Sequence, residues 1–265
     1  ADSLFQMNKT ILVPYDFSEA SEYGVTYAID FASSRPGVDL RFCLISDTED
    51  PERFSKGKKK ISDQLSRAFR GKLTWTHLIP GSVKGLLEKC VEDEVDMVIM
   101  GTAGSTKEGA NTKTAEMVLK AEFPVLVVPA ETVEDFKLSR IALVLGHNEI
   151  DDPDLLHTLL QISRRFNASV TVLTIAGESK NFGYTEEEER NEHLLEYYLE
   201  SFYSHHVYIK HKDVVEGIFD YIEAHDIDMV AIFPNNHVKK GTPSEGRLTR
   251  ILAQQSKTPL LAIEH

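Results

Sequence analysis

Short apolar runs alternate with longer segments of mixed polarity along the whole chain. In the first half the apolar runs predict strands at Thr10–Tyr15, Leu40–Ile45, Leu73–Leu78, Met97–Gly101 and Val125–Pro129. In the second half they predict strands at Ile141–Leu145, Val170–Ile175, Val207–Lys210, Met229–Phe233 and Leu260–Ile263. Nearly continuous Val, Ile and Leu strands are typical of a parallel sheet that is buried on both faces.

The segments between the strands carry helical periodicity. Ser18–Ser33 places its apolar residues along one face of a helix, and Ser18 is a suitable residue to begin it. Helices are also predicted at Val83–Glu94 and Thr114–Ala121, and Glu186–Glu189 is interpreted as the solvated start of another. The basic run Lys56–Lys60 is interpreted as a solvated flexible loop after the second strand, with the alternative that it folds over the phosphates of a ligand.

The chain contains an internal repeat. Four segments of the first half recur in the same order in the second half, displaced by 130 to 135 residues. The matching pairs are Lys9–Pro14 with Ser139–Val144, Ser82–Leu86 with Val214–Ile218, Asp96–Ile99 with Asp228–Ala231, and Phe123–Val128 with Thr258–Ile263. Four ordered matches predict two homologous domains in tandem, residues 7–134 and 135–265.

Alternating strands and helices predict the fold class. We expect an α/β protein of two tandem doubly wound, Rossmann-like domains, each with a mainly parallel five-stranded sheet flanked by helices. In such sheets ligands bind beyond the carboxyl ends of the strands, where the strand order reverses. The reversal is expected between the first and fourth strands, which would place Pro14–Ser18 beside Gly101–Asn111. The sequence therefore predicts one ligand cleft per domain.

Composition and charge narrow the classes of partner. The 265 residues contain 29 Lys and Arg against 42 Asp and Glu, for a net charge of −13. Without an extended basic block, this charge argues against nucleic acid or an anionic membrane as the main partner. No apolar run is long enough to span a membrane, and the start lacks the pattern of a signal peptide, so we expect a cytoplasmic protein.

Two smaller features complete the general picture. Met7 resembles a natural start, so residues 1–6 are set aside as a remnant of an expression tag. The two cysteines, Cys43 and Cys90, lie within apolar segments and offer neither a disulfide framework nor a CxxC metal pair. No metal site is predicted.

Three segments resemble the universal stress protein family. Ile11–Ser21 is similar to the first-strand signature of the family, Asp96–Gly104 to the end of its fourth strand, and Phe123–Pro129 to its last strand. The resemblance covers the chain after Met7, and its segments occur in order and twice over. It implies the tandem two-domain form of the family.

Family members that bind ATP share a loop written G-x2-G-x9-G-[ST], in which glycines admit phosphates to the backbone and a helix N-terminus offers N–H groups. The first part is present here as Gly101-Thr102-Ala103-Gly104. Counting back from Pro124 places Asn111-Thr112 at the second part, with Ser105–Ala110 filling a gap of six residues in place of nine. Asn tolerates a left-handed backbone and Thr112 keeps the hydroxyl. A rival alignment places Gly109-Ala110 there and would lose the hydroxyl.

The second domain departs further from this pattern. The replacements are Phe233 for Gly101, Asn236 for Gly104, Gly246-Arg247 for Asn111-Thr112, Gly146 for Asp16 and Val144 for Pro14. Phe and Asn would place Cβ atoms in the space that phosphates need. We therefore expect a degenerate site and a second domain that serves for packing and dimerisation.

The resemblance implies a stress-response protein whose first domain binds an adenine nucleotide, ATP or else ADP or AMP, as a regulatory ligand. Mg²⁺ would accompany the nucleotide, held by phosphates and water. By resemblance, Asp16 would contact the nucleoside and Ile45 and Met100 would flank the base, while the glycines and the Asn111-Thr112 backbone would cradle the phosphates. The predicted nucleotide-binding residues are Pro14, Tyr15, Asp16, Ile45, Met100, Gly101, Ala103, Gly104, Asn111, Thr112 and Lys113.

These assignments have alternatives. Asp16 would cap the following helix, Gly101 and Gly104 would be ordinary turn glycines, and Ile45 would belong to the core. The sequence has neither a GxxxxGK[ST] nor a GxSxG motif and offers no catalytic set, so any hydrolysis would be slow. The family resemblance implies a homodimer or an intramolecular pseudo-dimer. A nucleotide-independent stress-response scaffold is the alternative function, and a hydrolase of phosphates or nucleotides is the third.

Overall fold

The computed structural model describes residues 8–65, 67–104, 112–132, 135–146, 150–176, 185–234 and 245–264. The chain divides into two compact units, Ala1–Phe136 and Lys137–His265. Each unit alternates strands and helices around a parallel sheet. The predicted class, two tandem doubly wound α/β domains, is confirmed.

The first domain contains five strands, four α-helices and a short 3-10 helix, Ala130–Thr132, among its described residues. The strands are β1 Lys9–Tyr15, β2 Val38–Ile45, β3 Leu73–Leu78, β4 Met97–Thr102 and β5 Val125–Pro129. The helices are α1 Glu19–Ser33, α2 Pro51–Gln64, α3 Val83–Glu92 and α4 Lys113–Lys120. Ser18 begins α1 as predicted, since its side chain accepts a hydrogen bond from the N–H of Ser21.

The strands of the first domain follow the order β3-β2-β1-β4-β5, and every pairing is parallel. Strand β1 therefore lies between β2 and β4, with Leu12 opposite both Arg41 and Val98. The chain winds outward in one direction through β2 and β3 and in the other through β4 and β5. The reversal of strand order lies between β1 and β4, where the sequence placed the cleft.

Helix α2 corrects one prediction. The basic run Lys56–Lys60, interpreted as a flexible loop, lies in the middle of this helix. Asp50 caps it by accepting a hydrogen bond from the N–H of Arg53, and Pro51 occupies its first turn. Only Phe54, Gly57 and Ile61 are buried, so the apolar signal of the helix is too sparse to stand out beside five cations.

The second domain repeats the arrangement. Its strands are β6 Arg140–Val144, β7 Ser169–Ala176, β8 Tyr203–Lys210, β9 Met229–Ile232 and β10 Leu260–Ala262. Its described helices are α5 Asp154–Phe166, α6 Glu186–Leu199, α7 Val214–Ala224 and α8 Glu245–Gln255. The strand order is β8-β7-β6-β9-β10, again parallel throughout. Thr185 and Glu188 form a capping box at the predicted start of α6.

A carboxylate anchors the first strand of each domain at its amino end. In the first domain Asp96 Oδ2 accepts a hydrogen bond from the N–H of Thr10 at 2.8 Å. In the second domain Asp228 Oδ2 accepts from the N–H of Ser139 at 2.8 Å, from the N–H of Arg140 at 2.9 Å and from the Ser139 hydroxyl at 3.0 Å. The two aspartates occupy equivalent positions in the repeat.

None of the helices formed by the described residues has the length and apolar character needed to cross a membrane.

Candidate functional site

Three segments of the first domain converge at the carboxyl end of its sheet. Asp16–Ser18 follows β1, Gly101–Gly104 ends β4, and Thr112–Lys113 begins α4. The Lys113 ammonium is close enough to Asp16 to help lower the pKa of that carboxyl. This electrostatic interaction indicates that the start of α4 lies on the same side of the sheet as the end of β1, as expected for a cleft at the point of reversal.

Asp16 is exposed, and its carboxylate organises the turn that leads into α1. Its Oδ1 accepts hydrogen bonds from the N–H of Ser18 at 3.1 Å and from the Ser18 hydroxyl. Partial burial raises the pKa of Asp16, but hydrogen bonds from Ser18 and Ser21, together with the Lys113 charge, bring the pKa below its ordinary value. The side chain thus takes part in helix capping, the structural alternative for this residue, and it does so as an anion.

The two glycines near the carboxyl end of β4 have different roles: Gly101 lies within the strand and Gly104 follows it. A Cβ atom on Gly101 would lie 1.8 Å from the Ala20 carbonyl oxygen and 2.9 Å from the Gly24 nitrogen, so a side chain there is incompatible with the packing of α1 on β4. Gly101 therefore serves the helix–strand contact. Gly104 is exposed and has φ of 72°, a left-handed conformation that favours glycine, and its N–H donates to Thr102 Oγ1 at 2.9 Å.

The N-terminus of α4 offers a set of hydrogen-bond donors at this end of the sheet. Thr112 caps this helix, its hydroxyl accepting from the N–H of Ala115 at 3.1 Å. Among the described hydrogen bonds none uses the N–H groups of Lys113 and Thr114, and the Lys113 side chain is exposed. Free N–H groups, the helix dipole and an ammonium together favour an anion at this end of the helix.

An aromatic cluster beside β1 was not predicted. Phe17 has φ of 68°, which is strained for a bulky residue, and its ring centroid lies 4.8 Å from Tyr15 and 6.1 Å from Phe54 of α2. The guanidinium of Arg53 lies 4.3 Å from the Phe17 ring centroid. The sequence signal for this contact is Asp50-Pro51, a helix start that would have brought α2 over this loop.

Burial raises the pKa of Tyr15, and its hydrogen bond with Glu22 raises it further, although Lys60 and Arg53 act in the opposite direction. Lys60 also forms an ion pair with Glu22. Tyr15 is 3% exposed, so this predicted site residue faces the α1–α2 side and belongs to the packing of the domain.

The remaining predicted residues divide into buried and exposed groups. Pro14 and Met100 are buried within β1 and β4, and Ile45 is half-buried at the end of β2. Ala103 is exposed next to Gly104. Asn111, the gap Ser105–Ala110 and the rival pair Gly109-Ala110 lie outside the described residues.

The equivalent end of the second sheet is built differently. Phe233, which replaces Gly101, is 1% exposed and packs in the core, and Val144, which replaces Pro14, is also buried. The connection from β6 to α5 runs from Leu145 to Pro153, whereas residues 16–18 join β1 to α1. Asn236 lies outside the described residues, as do the side chains of Gly246 and Arg247.

The described part of the chain holds no group of three or more His, Cys, Asp or Glu side chains placed to bind a metal ion.

Comparisons with known proteins agree with this architecture. Residues 7–129 match the Universal stress protein family. No protein with a curated function matches the chain. A universal stress protein from Archaeoglobus fulgidus has a similar structure at a TM-score of 0.69, with 13% identity, over 98% of this chain and 99% of that one.

Two further solved structures show how widely the fold occurs. A protein of unknown function from Pseudomonas aeruginosa gives a TM-score of 0.64 at 12% identity, over 98% of this chain and 93% of that one. The cytoplasmic domain of a prokaryotic cation chloride cotransporter gives 0.57 at 10% identity, over 97% and 96% of the two chains. At these identities the likeness establishes the fold alone.

Proposed function

The first domain matches the universal stress protein family over residues 7–129, and on that premise we propose that this domain binds an adenine nucleotide, ATP with Mg²⁺, as a regulatory ligand. The observation that carries the proposal is the N-terminus of α4, with its Thr112 cap and exposed Lys113, facing the carboxyl end of β1. A phosphate group is the ligand best suited to that combination of N–H donors, dipole and ammonium.

The nucleoside would lie on the β1 side of the cleft. Asp16 remains ionised there, with Oδ1 held by Ser18, and a second carboxylate oxygen is a natural acceptor for a ribose hydroxyl. Ala103 and Gly104 are exposed beside it, and the base would approach Ile45, which is half-buried. In this arrangement the first domain discriminates a nucleotide from inorganic phosphate through contacts at both ends of the ligand.

The chain supplies no group that would hold Mg²⁺ by itself among its described residues. The metal would enter with the nucleotide and screen its phosphates. We therefore propose a binding function, with the ligand retained as a signal.

The alternative is a scaffold that works without a nucleotide. One observation favours it: Gly101, assigned to the phosphate loop by resemblance, is occupied by the contact with α1. If the first domain does not bind a nucleotide, Gly101 serves only the packing of α1 on β4, and the cleft has no ligand.

Titration calorimetry with Mg-ATP tests the proposal directly, comparing the wild type with Lys113→Gln and with Lys120→Gln. Both lysines lie on α4, but Lys120 is at its far end and pairs with Glu116 at 2.7 Å. We expect Lys113→Gln to weaken binding by about tenfold, since one phosphate contact with an ammonium contributes about 1.4 kcal/mol. Lys120→Gln should leave the affinity unchanged.

The substitution Asp16→Asn tests the proposed contact between Asp16 and the nucleoside. The amide oxygen still accepts from Ser18, so the turn into α1 is preserved while the charge is lost. A drop in affinity with unchanged thermal stability supports a nucleoside contact. The absence of binding heat in the wild type, with no nucleotide released from the denatured protein, would refute the nucleotide function and leave the scaffold.

A further inference from the structure

Each sheet ends in a strand that has a partner on one side. In the first domain β3 pairs with β2, and in the second domain β8 pairs with β7; among the described residues neither has a second neighbour within its own sheet. No residue of either strand is buried, in contrast to the central strands. Such strands present a row of N–H and C=O groups that a further strand is able to join.

The helix beside β3 is basic. Helix α2 carries five cations against two carboxylates, in a protein whose net charge is −13. It lies against β3, because the ring of Phe54 stacks on His77 at 4.5 Å and the Lys58 ammonium lies 5.9 Å from the Trp75 ring centroid. We call β3 with Arg53, Lys56 and Lys59 of α2 the basic edge; these three cations are exposed, and the exposed Lys60 is left out because it pairs with Glu22.

The helix beside β8 is acidic, although it occupies the equivalent place in the repeat. Helix α6 carries six glutamates and a single arginine. Glu192 joins it to β8, since its Oε1 accepts from the Tyr203 hydroxyl at 2.7 Å and its Oε2 lies 3.8 Å from His206 Nδ1. We call β8 with Glu189, Glu192 and Glu196 the acidic edge.

The acidic edge also has room for incoming side chains. A cavity of about 690 Å³ runs between α6 and β8, lined by Glu192, Glu196, Glu200 and the strand residues Tyr203 and His205. Glutamates at intervals of four residues lie along one side of the helix, one turn apart. Cations three residues apart also lie along one side of a helix, as Arg53, Lys56 and Lys59 do on α2, so those of a partner helix would meet the glutamates in turn.

We propose that the chain associates with a second copy of itself, the basic edge of one copy meeting the acidic edge of the other. Charge complementarity selects the partner, because the acidic edge presents an anionic helix beside an open strand to the cations of the basic edge. Because the contact joins two different surfaces, it is a head-to-tail contact. When both edges of one copy meet both edges of the same partner, the assembly is a closed dimer. The inference rests on the charges of the two edges and does not depend on nucleotide binding by the first domain.

Sedimentation velocity at about 0.02 M salt tests the contact over a range of protein concentrations. We expect association that weakens at least tenfold when salt rises to about 0.5 M, where the screening length falls below 5 Å. This measurement on the unaltered chain does not depend on whether a variant folds. A single monomeric species at low salt and high protein concentration would overturn the proposal.

Charge reversal identifies the surfaces. One variant carries Lys56→Glu with Lys59→Glu, and the other carries Glu189→Lys with Glu196→Lys. Each alone should lose association at least tenfold, because like charges would face each other. An equal mixture of the two should recover it, since each reversed edge then meets an opposite charge on the other variant.

Lys84→Glu is the matched control, because it reverses an 88% exposed lysine on α3, outside either edge. Its association should equal that of the wild type. If mixing the two variants fails to restore association while both are folded by circular dichroism, the edges are not the contact. If a fluorescent single-stranded oligonucleotide binds the basic edge and reversal abolishes that binding without any self-association, the partner is nucleic acid and the proposal is wrong.

Discussion

The two domains agree at the amino ends of their strands and differ at the carboxyl ends. Both have the same strand order, and both use an equivalent aspartate, Asp96 or Asp228, to hold the backbone of the first strand. At the opposite end, Asp16 and Gly101 of the first domain are replaced by Gly146 and Phe233. The repeated features are those that the fold requires, and the divergent ones lie where doubly wound proteins bind ligands.

The exchange of Gly101 for Phe233 shows how one position serves two purposes. In the first domain the absence of a side chain lets α1 contact β4 through Gly24, whose own Cβ would lie 2.5 Å from the Gly101 nitrogen. In the second domain the equivalent position carries Phe233, which is 1% exposed. Helix α1 is therefore held against β4 in the first domain, while the second domain has a longer connection between β6 and α5.

The largest effect is expected from Phe233→Ala. Removing a ring that is 1% exposed should lower the free energy of unfolding by about 3 to 5 kcal/mol. Urea unfolding followed by circular dichroism measures the loss. Tyr197→Ala is the control in the same domain, because that side chain is 77% exposed and its removal should cost less than about 0.5 kcal/mol. A small effect at Phe233 would mean that the ring does not support the core.

Gly101→Ala should come next, at about 3 kcal/mol, because its Cβ would meet the Ala20 carbonyl oxygen at 1.8 Å and force α1 away. Trp75 is the single tryptophan and lies in the first domain, so its fluorescence follows that domain. Gly85→Ala is the comparison, since the atoms nearest its new Cβ, at 2.9 Å and 3.0 Å, belong to the side chains of Ser82 and Leu78 and not to the backbone. Equal stability of the two variants would contradict the packing role of Gly101.

The aspartates should give a graded effect. Asp228 accepts three hydrogen bonds and Asp96 accepts one, so we expect losses of about 2 kcal/mol for Asp228→Ala and about 1 kcal/mol for Asp96→Ala. Asp96 also pairs weakly with Lys9 at 3.8 Å, where both side chains are largely exposed. Denaturant unfolding of both variants under one condition makes the comparison. The reverse order would show that hydrogen-bond number does not set the strength of the anchor.

The mildest test needs no substitution. It labels the two native thiols, which both lie in the first domain. Cys43 and Cys90 are 0% and 1% exposed, and burial raises the pKa of each to about 12. At pH 7 the thiolate fraction is then about 10⁻⁵, so labelling by a disulfide reagent should be slow and should require opening of the domain.

Mg-ATP at about a hundred times its dissociation constant should slow that labelling by up to about a hundredfold if it binds the closed first domain. Mg²⁺ alone is the control. Unchanged labelling, despite measured binding, would place the nucleotide outside the part of the domain that must open.

Much of the fold could be predicted from the sequence. Strands β3 and β5 were predicted with their observed bounds, and Ser18 begins α1 as its position before Glu19–Glu22 indicated. Helix α2 was missed because its buried residues are few and one of them is glycine. For the site, the sequence predicted that Asp16, Gly104 and Thr112 lie at the same end of the sheet. It did not reveal the cluster of Phe17, Arg53 and Phe54.

The sequence by itself determined the features that depend on near neighbours: the tandem repeat, the strand periodicity and the helix caps at Ser18 and Thr112. These arise from interactions within a few residues, so residue type and spacing are sufficient to specify them. Only the tertiary structure decided that Gly101 packs α1 and that equivalent helices bring opposite charges to β3 and β8. Those facts depend on which surfaces meet in the folded domain. Ala20 and Gly101 are far apart in the chain and come close only when α1 packs on β4.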